Sequence, residues 1–263
     1  MSNDWHKICK EAIIWAKDAG KVIRDSFEKQ LTVETKSNKD DLVTNMDREV
    51  ETFLINKINE QYPEHKILGE EGVGEKVTSL DGTVWIIDPI DGTMNFVHQQ
   101  TNFAISIGVY QDGVGMVGII YNVVYDEMFH AIKDEGAYLN DRKLNQLGNV
   151  KLDESIISLN ATWVTENRRI DPNVLSPLVK KCRGTRSYGS AAIELAFVAA
   201  GRLDAYITMR LSPWDFAAGK VLIEEVGGTV TTVDGNPIEL LEQNSVFAAK
   251  SQLHEQILND YLN

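Results

Sequence analysis

Cysteine is nearly absent: Cys9 and Cys182 are the two in 263 residues, and they lie far apart. They form no redox or zinc spacing, so both read as buried or idle thiols of a reducing cytoplasm rather than as a disulfide framework. The five histidines, His6, His65, His98, His130 and His254, match no ligand-pair spacing either. Prolines number 6, and no segment is biased enough to read as disordered. Long apolar runs are also missing. A membrane span needs roughly 18 such residues, and the best stretch, Ser190 to Gly201, is short and carries Glu194. The opening Met1 to Lys7 mixes acid and base with no apolar run behind it, so no signal peptide is expected. A cytoplasmic protein without a membrane partner is the expectation. Positive charge is scarce as well: 26 Lys and Arg face 39 Asp and Glu, for a net charge of −13. Without a basic face to displace counterions, a nucleic-acid partner is not expected.

What is present is ample core material, with 43% apolar residues. Residues 4 to 28 place Trp5, Ile8, Ala12, Trp15, Ala19, Val22, Ile23 and Phe27 at helical spacing, which predicts a long amphipathic helix. Thr32 to Asp41, rich in Lys, Asn and Asp, reads as an exposed, mobile loop. Thr44 then caps a second helix running to about Gln61, ended by Pro63. From Lys66 the period shifts. Trp85 to Ile87, Phe103 to Tyr110, Gly115 to Val123 and Glu127 to Lys133 read as strands of an antiparallel sheet. A second cycle follows, with strands near Ser155 to Asn160 and Ala205 to Met209, and helices near Asn173 to Lys181, Ser190 to Ala200, Phe216 to Val226 and Ser251 to Leu262. Stacked layers of α and β are expected.

Chemistry concentrates in Trp85-Ile86-Ile87-Asp88-Pro89-Ile90-Asp91-Gly92-Thr93-Met94-Asn95-Phe96. An apolar strand runs into two aspartates three apart, with Pro89 biasing Asp88 toward an extended backbone and Gly92 permitting a sharp turn. A helix beginning at Gly92-Thr93 would set an anion site beside those carboxylates. Carboxylates and a phosphate at that range repel by kcal/mol each, so cations must lie between them, and an all-oxygen donor set selects Mg²⁺ or Mn²⁺ over zinc. Read alone, Asp88 and Asp91 fit a turn and helix cap equally well. Two further acidic elements, Leu68-Gly69-Glu70-Glu71-Gly72 and Ser212-Pro213-Trp214-Asp215-Phe216-Ala217-Ala218-Gly219, make the conjunction more specific.

At these residues the chain resembles the inositol monophosphatase family of lithium-sensitive, magnesium-dependent phosphatases, over nearly its whole length. Its signatures correspond to Trp85 through Phe96 and Trp214 through Gly219, and Asp41 to Asp47 and Gly69 to Glu71 fall in family order. The resemblance implies a five-layer αβαβα sandwich of the inositol monophosphatase and fructose-1,6-bisphosphatase type. It divides into residues 1–145, a helix pair and antiparallel sheet with most metal ligands, and residues 146–263 with Asp215 and substrate contacts. It implies two or three Mg²⁺ per site, held by Glu70, Asp88, the Ile90 carbonyl, Asp91 and Asp215, with a weaker third site bordered by Glu70 and the loop around Lys36 to Asp40. It makes Glu70, Thr93 and Asp47 catalytic, the last two orienting and deprotonating the attacking water. Asp91, Gly92, Thr93, Gly189, Ser190, Ala191 and Asp215 would contact substrate. A homodimer acting on a small phosphorylated metabolite is implied as well.

The family's animal enzymes carry a glutamate that grips inositol hydroxyls at the position of Thr208 here. Arg210 could instead meet a second anionic group. The expected activity is therefore Mg²⁺-dependent hydrolysis of small phosphomonoesters of the inositol 1-phosphate type, with fructose 1,6-bisphosphate or NADP as alternative substrates. A catalytically idle binding protein is the reading from another class. A haloacid-dehalogenase-type phosphatase, whose Asp-x-Asp-Gly-Thr motif overlaps Ile90-Asp91-Gly92-Thr93, is excluded, because its nucleophilic aspartate would fall at Pro89.

Overall fold

The computed structural model describes residues 3–28, 32–35, 42–73 and 77–262. Helix α1 (Trp5–Asp25) starts where the Asp4 side chain accepts from the Lys7 N–H. Strands β1 (Val33–Thr35) and β2 (Leu42–Thr44) pair as an antiparallel ribbon. The loop expected over Thr32 to Asp41 is thus in part a strand: β-branched Val33 and Thr35 pair with Thr44 and Leu42, a local pairing that a search for apolar runs overlooks. Residues 36–41, including the expected mobile segment, lie outside the described residues. Thr44 opens α2 (Asn45–Gln61) through a capping box with Asp47.

The first sheet comprises β3 (Lys66–Gly69), β4 (Thr83–Asp91), β5 (Ala104–Gln111), β6 (Val114–Asn122), β7 (Glu127–Ile132), β8 (Gly136–Leu139) and β9 (Arg142–Lys143), in sequential order. It is mixed rather than antiparallel, because β3 and β4 run parallel with Gly69 opposite Ile87. The parallel pairing sets the ends of both strands side by side, so Glu70 emerges beside Asp88. β4 also runs further than its apolar stretch implies. Pairing with β5 continues to Asp91 across a bulge between Asp88 and Asp91, which accommodates the missing N–H of Pro89. Helix α3 (Thr93–Gln99) follows immediately.

Alternation along these strands sorts side chains between two cores. Trp85, Ile87, Ile105, Ile107 and Val109 bury against α1 and α2. Val84, Ile86, Ala104 and Tyr110 face the opposite way. There they meet α5 (Ala191–Ala199) and α6 (Pro213–Glu225).

The second sheet runs β11 (Gly184–Arg186), β10 (Ile156–Ser158), β12 (Ala205–Leu211), β14 (Asn244–Lys250), β13 (Gly228–Thr231). Its Tyr206, Leu211, Val246 and Ala248 cover the other side of α5 and α6. Ile157, Ile207, Phe247 and Ala249 pack outward on α4 (Pro172–Lys181) and α7 (Ser251–Ile257). The order of layers is helix pair, sheet, helix pair, sheet, helix pair: the expected αβαβα sandwich. Among the described residues no helix is long and apolar enough to cross a membrane.

Helix α6 sits unusually close to the first sheet. A Cβ on Gly118 would lie 2.5 Å from the Ala218 carbonyl oxygen, and one on Gly108 would lie 3.0 Å from Ala217 Cβ. On its other side, a Cβ on Gly219 would meet Leu195 at 2.5 Å. Small residues at 217–219 thus let α6 nest in the middle layer and place Asp215, in its first turn, at the edge of the first sheet. Gly118→Ala should destabilise the protein by about 1–3 kcal/mol through overpacking. Denaturant unfolding reads this directly, and an unchanged midpoint would show that α6 has room to move.

Candidate active site

Three carboxylates converge from different elements. Asp88 and Asp91 lie on either side of the bulge in β4, and Asp215 lies in the first turn of α6, each with an oxygen within 4.8 Å of the others. Backbone and hydroxyl donors hold them. Ile90 N–H donates to Asp88 at 2.9 Å, and Ser212 N–H donates to Asp215 at 2.7 Å. Asp91 accepts from the Ser190 hydroxyl and, at 2.9 Å, from the Ala192 N–H at the start of α5. Glu70 is hydrogen-bonded to Asp88.

Burial and like charge work together on this group. Asp88 is pushed well above the ordinary carboxylate range by burial first, then by Glu70, Asp91 and Asp215. Burial and the charge of Asp91 raise Asp215, with Arg210 opposing. Asp91 rises to about 6 by burial, against the lowering effect of its Ser190, Ala192 and Ala191 donors. Protons or cations must therefore neutralise the set. Its donors are all hard carboxylate oxygens, with no imidazole or thiolate among them, which fits Mg²⁺ or Mn²⁺. Among the described residues no other group of three acidic, His or Cys side chains converges in this way.

Beside the acid group lies a hydrogen-bonded threonine–aspartate pair. The Thr93 hydroxyl is 3.1 Å from Asp47 Oδ1 and 3.1 Å from the Ile90 carbonyl. Asp47 is fully buried, and its Oδ2 accepts from the Thr44 N–H at 2.7 Å and the Thr44 hydroxyl at 2.6 Å. Burial raises its affinity for a proton, while the Thr44 donors keep the carboxylate oriented. Gly92, at φ 94°, makes the turn between Asp91 and Thr93, and a Cβ there would press on Ser190 and on the carbonyls of Asn102 and Gly189.

A cleft of about 360 Å³ opens on these residues. Glu70, Asp91, Gly92, Thr93, Gly189, Ser190, Ala191, Arg210 and Asp215 all line it. Asp88 joins through the acid group, and Asp47 and the Ile90 carbonyl join through Thr93. The expected third site by Lys36 to Asp40 falls outside the described residues. Thr208 lines the same wall as Tyr206 and exposed Arg210.

Two residues that matter were not singled out from the sequence. Glu194 is buried, accepts from the N–H groups of Tyr188 at 2.6 Å and Gly189 at 3.2 Å, and is pushed up to about 7 by burial. Its signal was available as an acid inside an otherwise apolar helix. Glu51 is likewise buried, on the face of α2 that also carries Asp47.

A family model described as the inositol monophosphatase family matches residues 4–262. The inositol-1-monophosphatase of Bacillus subtilis is 60% identical over 262 residues, covering 100% of this chain and 98% of the relative. Among solved structures, inositol monophosphate-bound SaIMPase-II superposes with a TM-score of 0.88 at 41% identity, covering 97% of this chain and 93% of that one. An IMPase/NADP phosphatase complexed with Mg²⁺ and phosphate gives 0.89 at 30% identity, covering 98% and 95%.

The raised Asp91 predicts an inverted pH response in chelator-treated protein. Between the ordinary 3.8 and about 6 the folded state binds a proton that the unfolded chain does not. The stability this contributes is present at low pH and lost as pH rises through about 6. The melting temperature of the parent should fall relative to that of Asp91→Asn as pH rises from about 4 to 7. Parallel profiles would show that Asp91 is not held against its charge.

Proposed function

The chain belongs to the inositol monophosphatase family of phosphoric monoester hydrolases, and on that premise we propose that it cleaves small phosphomonoesters of the inositol 1-phosphate type with water as nucleophile. The observation that carries this reading is the set of converging carboxylates beside a hydrogen-bonded threonine–aspartate pair. Glu70, Asp88, the Ile90 carbonyl, Asp91 and Asp215 would hold two or three Mg²⁺, with Mn²⁺ as a substitute. When bound, the metal supplies the positive charge that draws in the phosphate, acidifies water and neutralises the leaving oxygen.

The residues themselves manage orientation and the proton. Thr93 accepts a hydrogen bond from the attacking water while donating its own proton toward Asp47 Oδ1. As the water oxygen bonds to phosphorus, one water proton passes to Thr93 and the threonine proton passes to Asp47. The electron pair of the breaking P–O bond goes to the alcohol oxygen, which takes up a proton from solvent water as it leaves. Burial favours Asp47 as the acceptor, and its Thr44 bonds keep Oδ1 turned to Thr93. No covalent phosphoenzyme is required.

Gly189, Ser190 and Ala191 form the wall on which the alcohol rests. Ser190 serves mainly to hold Asp91, since its hydroxyl donates there. Thr208 offers no carboxylate to sugar or inositol hydroxyls, and the Glu194 carboxylate is already engaged by two backbone amides and the Ser158 hydroxyl. Arg210, at the cleft rim, favours substrates with a second anionic group, such as fructose 1,6-bisphosphate or NADP. A homodimer in the cytoplasm, each chain divided into residues 1–145 and 146–263, completes the reading on the family resemblance, which also implies lithium inhibition.

Phosphate release from inositol 1-phosphate should require Mg²⁺ and stop with chelator. Asp88→Asn should abolish both turnover and calorimetric Mg²⁺ binding, because it removes a charge from a site built on several. No release from any phosphomonoester would overturn the proposal. Arg210→Ala should lower kcat/KM for fructose 1,6-bisphosphate and NADP roughly tenfold relative to inositol 1-phosphate, the scale of one charged hydrogen bond. An unchanged ratio would remove Arg210 from substrate selection.

A further inference from the structure

We propose that Glu51 is a positioning residue that sets Glu70 in the metal site by clamping the loop behind it. The proposal rests on the functional reading above, in which Glu70 is a metal ligand. Glu51 has no solvent exposure, and its two carboxylate oxygens are divided between two loop amides. Oε2 accepts from the Glu71 N–H at 2.8 Å and Oε1 from the Val73 N–H at 3.0 Å. Gly69, just before Glu70, passes so close that a Cβ there would lie 2.7 Å from the Glu51 carboxylate. The segment on both sides of Glu70 is thereby tied to one buried side chain, while Glu70 itself reaches Asp88.

The helix makes the clamp rigid. Asp47 and Glu51 are four residues apart on α2, so they share one face. Asp47 fixes Thr93 at the end of β4, and Glu51 fixes the loop at the end of β3. One helix therefore sets the spacing between the proton acceptor and a metal ligand carried by a loop. In that loop Gly72 adopts a left-handed backbone at φ 68°, and Val73 is exposed. Burial of an acid next to a site already crowded with acids is costly, and two charge-assisted amide bonds to the loop account for its presence.

Glu51→Gln keeps the shape but not the chemistry. An amide oxygen can serve one of the two N–H groups, while its NH₂ opposes the other. Calorimetric titration of the full-length enzyme with Mg²⁺ alone should show binding weakened about tenfold, the scale typical for a residue that orients a ligand. At saturating Mg²⁺, kcat and KM should stay within about twofold of the parent. Gly69→Ala, which displaces the same carboxylate from the opposite side, should give the same split. Thr52→Ala, on the exposed face of α2, should leave Mg²⁺ affinity unchanged. Amide exchange on the parent supplies a measurement independent of any variant: the Glu71 and Val73 amides should be protected far beyond their loop neighbours. Parental Mg²⁺ affinity in Glu51→Gln, or rapid exchange at both amides, would overturn the clamp while leaving the metal site intact. A parent that binds no Mg²⁺ would overturn both readings.

Discussion

Asp88 and Asp91, both buried, and half-buried Asp215 have oxygens inside 4.8 Å of one another, and when ionised they repel on the order of 3 kcal/mol per pair even at an effective dielectric near 20. Nothing in a hydrophobic core favours such an arrangement, so the surrounding structure has to impose it. The bulge in β4 turns two acids of one strand toward the same side. The parallel β3 brings Glu70 alongside, and the small residues of α6 bring Asp215 in from the middle layer. The start of α5 supplies donors to Asp91 that keep it in place without cancelling its charge. Divalent cations held there would relieve the strain so stored, and the same cations would make the site useful to a phosphate.

The layers explain why the site lies where it does. Each sheet is covered on both faces, so neither can offer a polar cleft within its span. Polar groups can gather only where strands end and helices begin. There β3, β4, α3, α5, β12 and α6 meet, and the helix starts supply backbone N–H groups that no helix bond consumes. The inner helix pair packs against both sheets within one core, which couples the arrangement of Asp215 to that of Asp88 and Asp91. α2, in the outer layer, reaches the same point from behind through Asp47.

Much of this was legible in the sequence, and the limits have physical causes. The three-and-four spacing of α1 and the Thr44 cap of α2 announced the outer helices. The Asp88 to Thr93 turn with Glu70 and Asp215 announced the acid group, because so many carboxylates in turn positions have few structural uses. Missing were features set by partners distant in the chain. The parallel direction of β3 depends on where its crossover lands, and short β8, β9, β11 and β13 draw their pairing from neighbours rather than from their own apolar pattern. The apolar stretch of β4 ends at Ile87, and only pairing with β5 across the bulge carries the strand on to Asp91. Glu51 looks like an ordinary acid of a polar helix, Glu194 stands out only as an acid inside an apolar one, and the fold buries both. Their roles depend on the loop amides they face, and no spacing in the chain encodes those.

If the acids are held together against their charge, the metal-free site must carry protons near neutral pH that a cation displaces on binding. Calorimetric titration with Mg²⁺ at pH 6.5 in buffers of different ionisation enthalpy measures that displacement directly. Binding heats that vary linearly with buffer ionisation enthalpy, reporting net proton release, are the predicted result. Identical heats in every buffer would mean that the carboxylates are already fully ionised without metal, and would contradict the account.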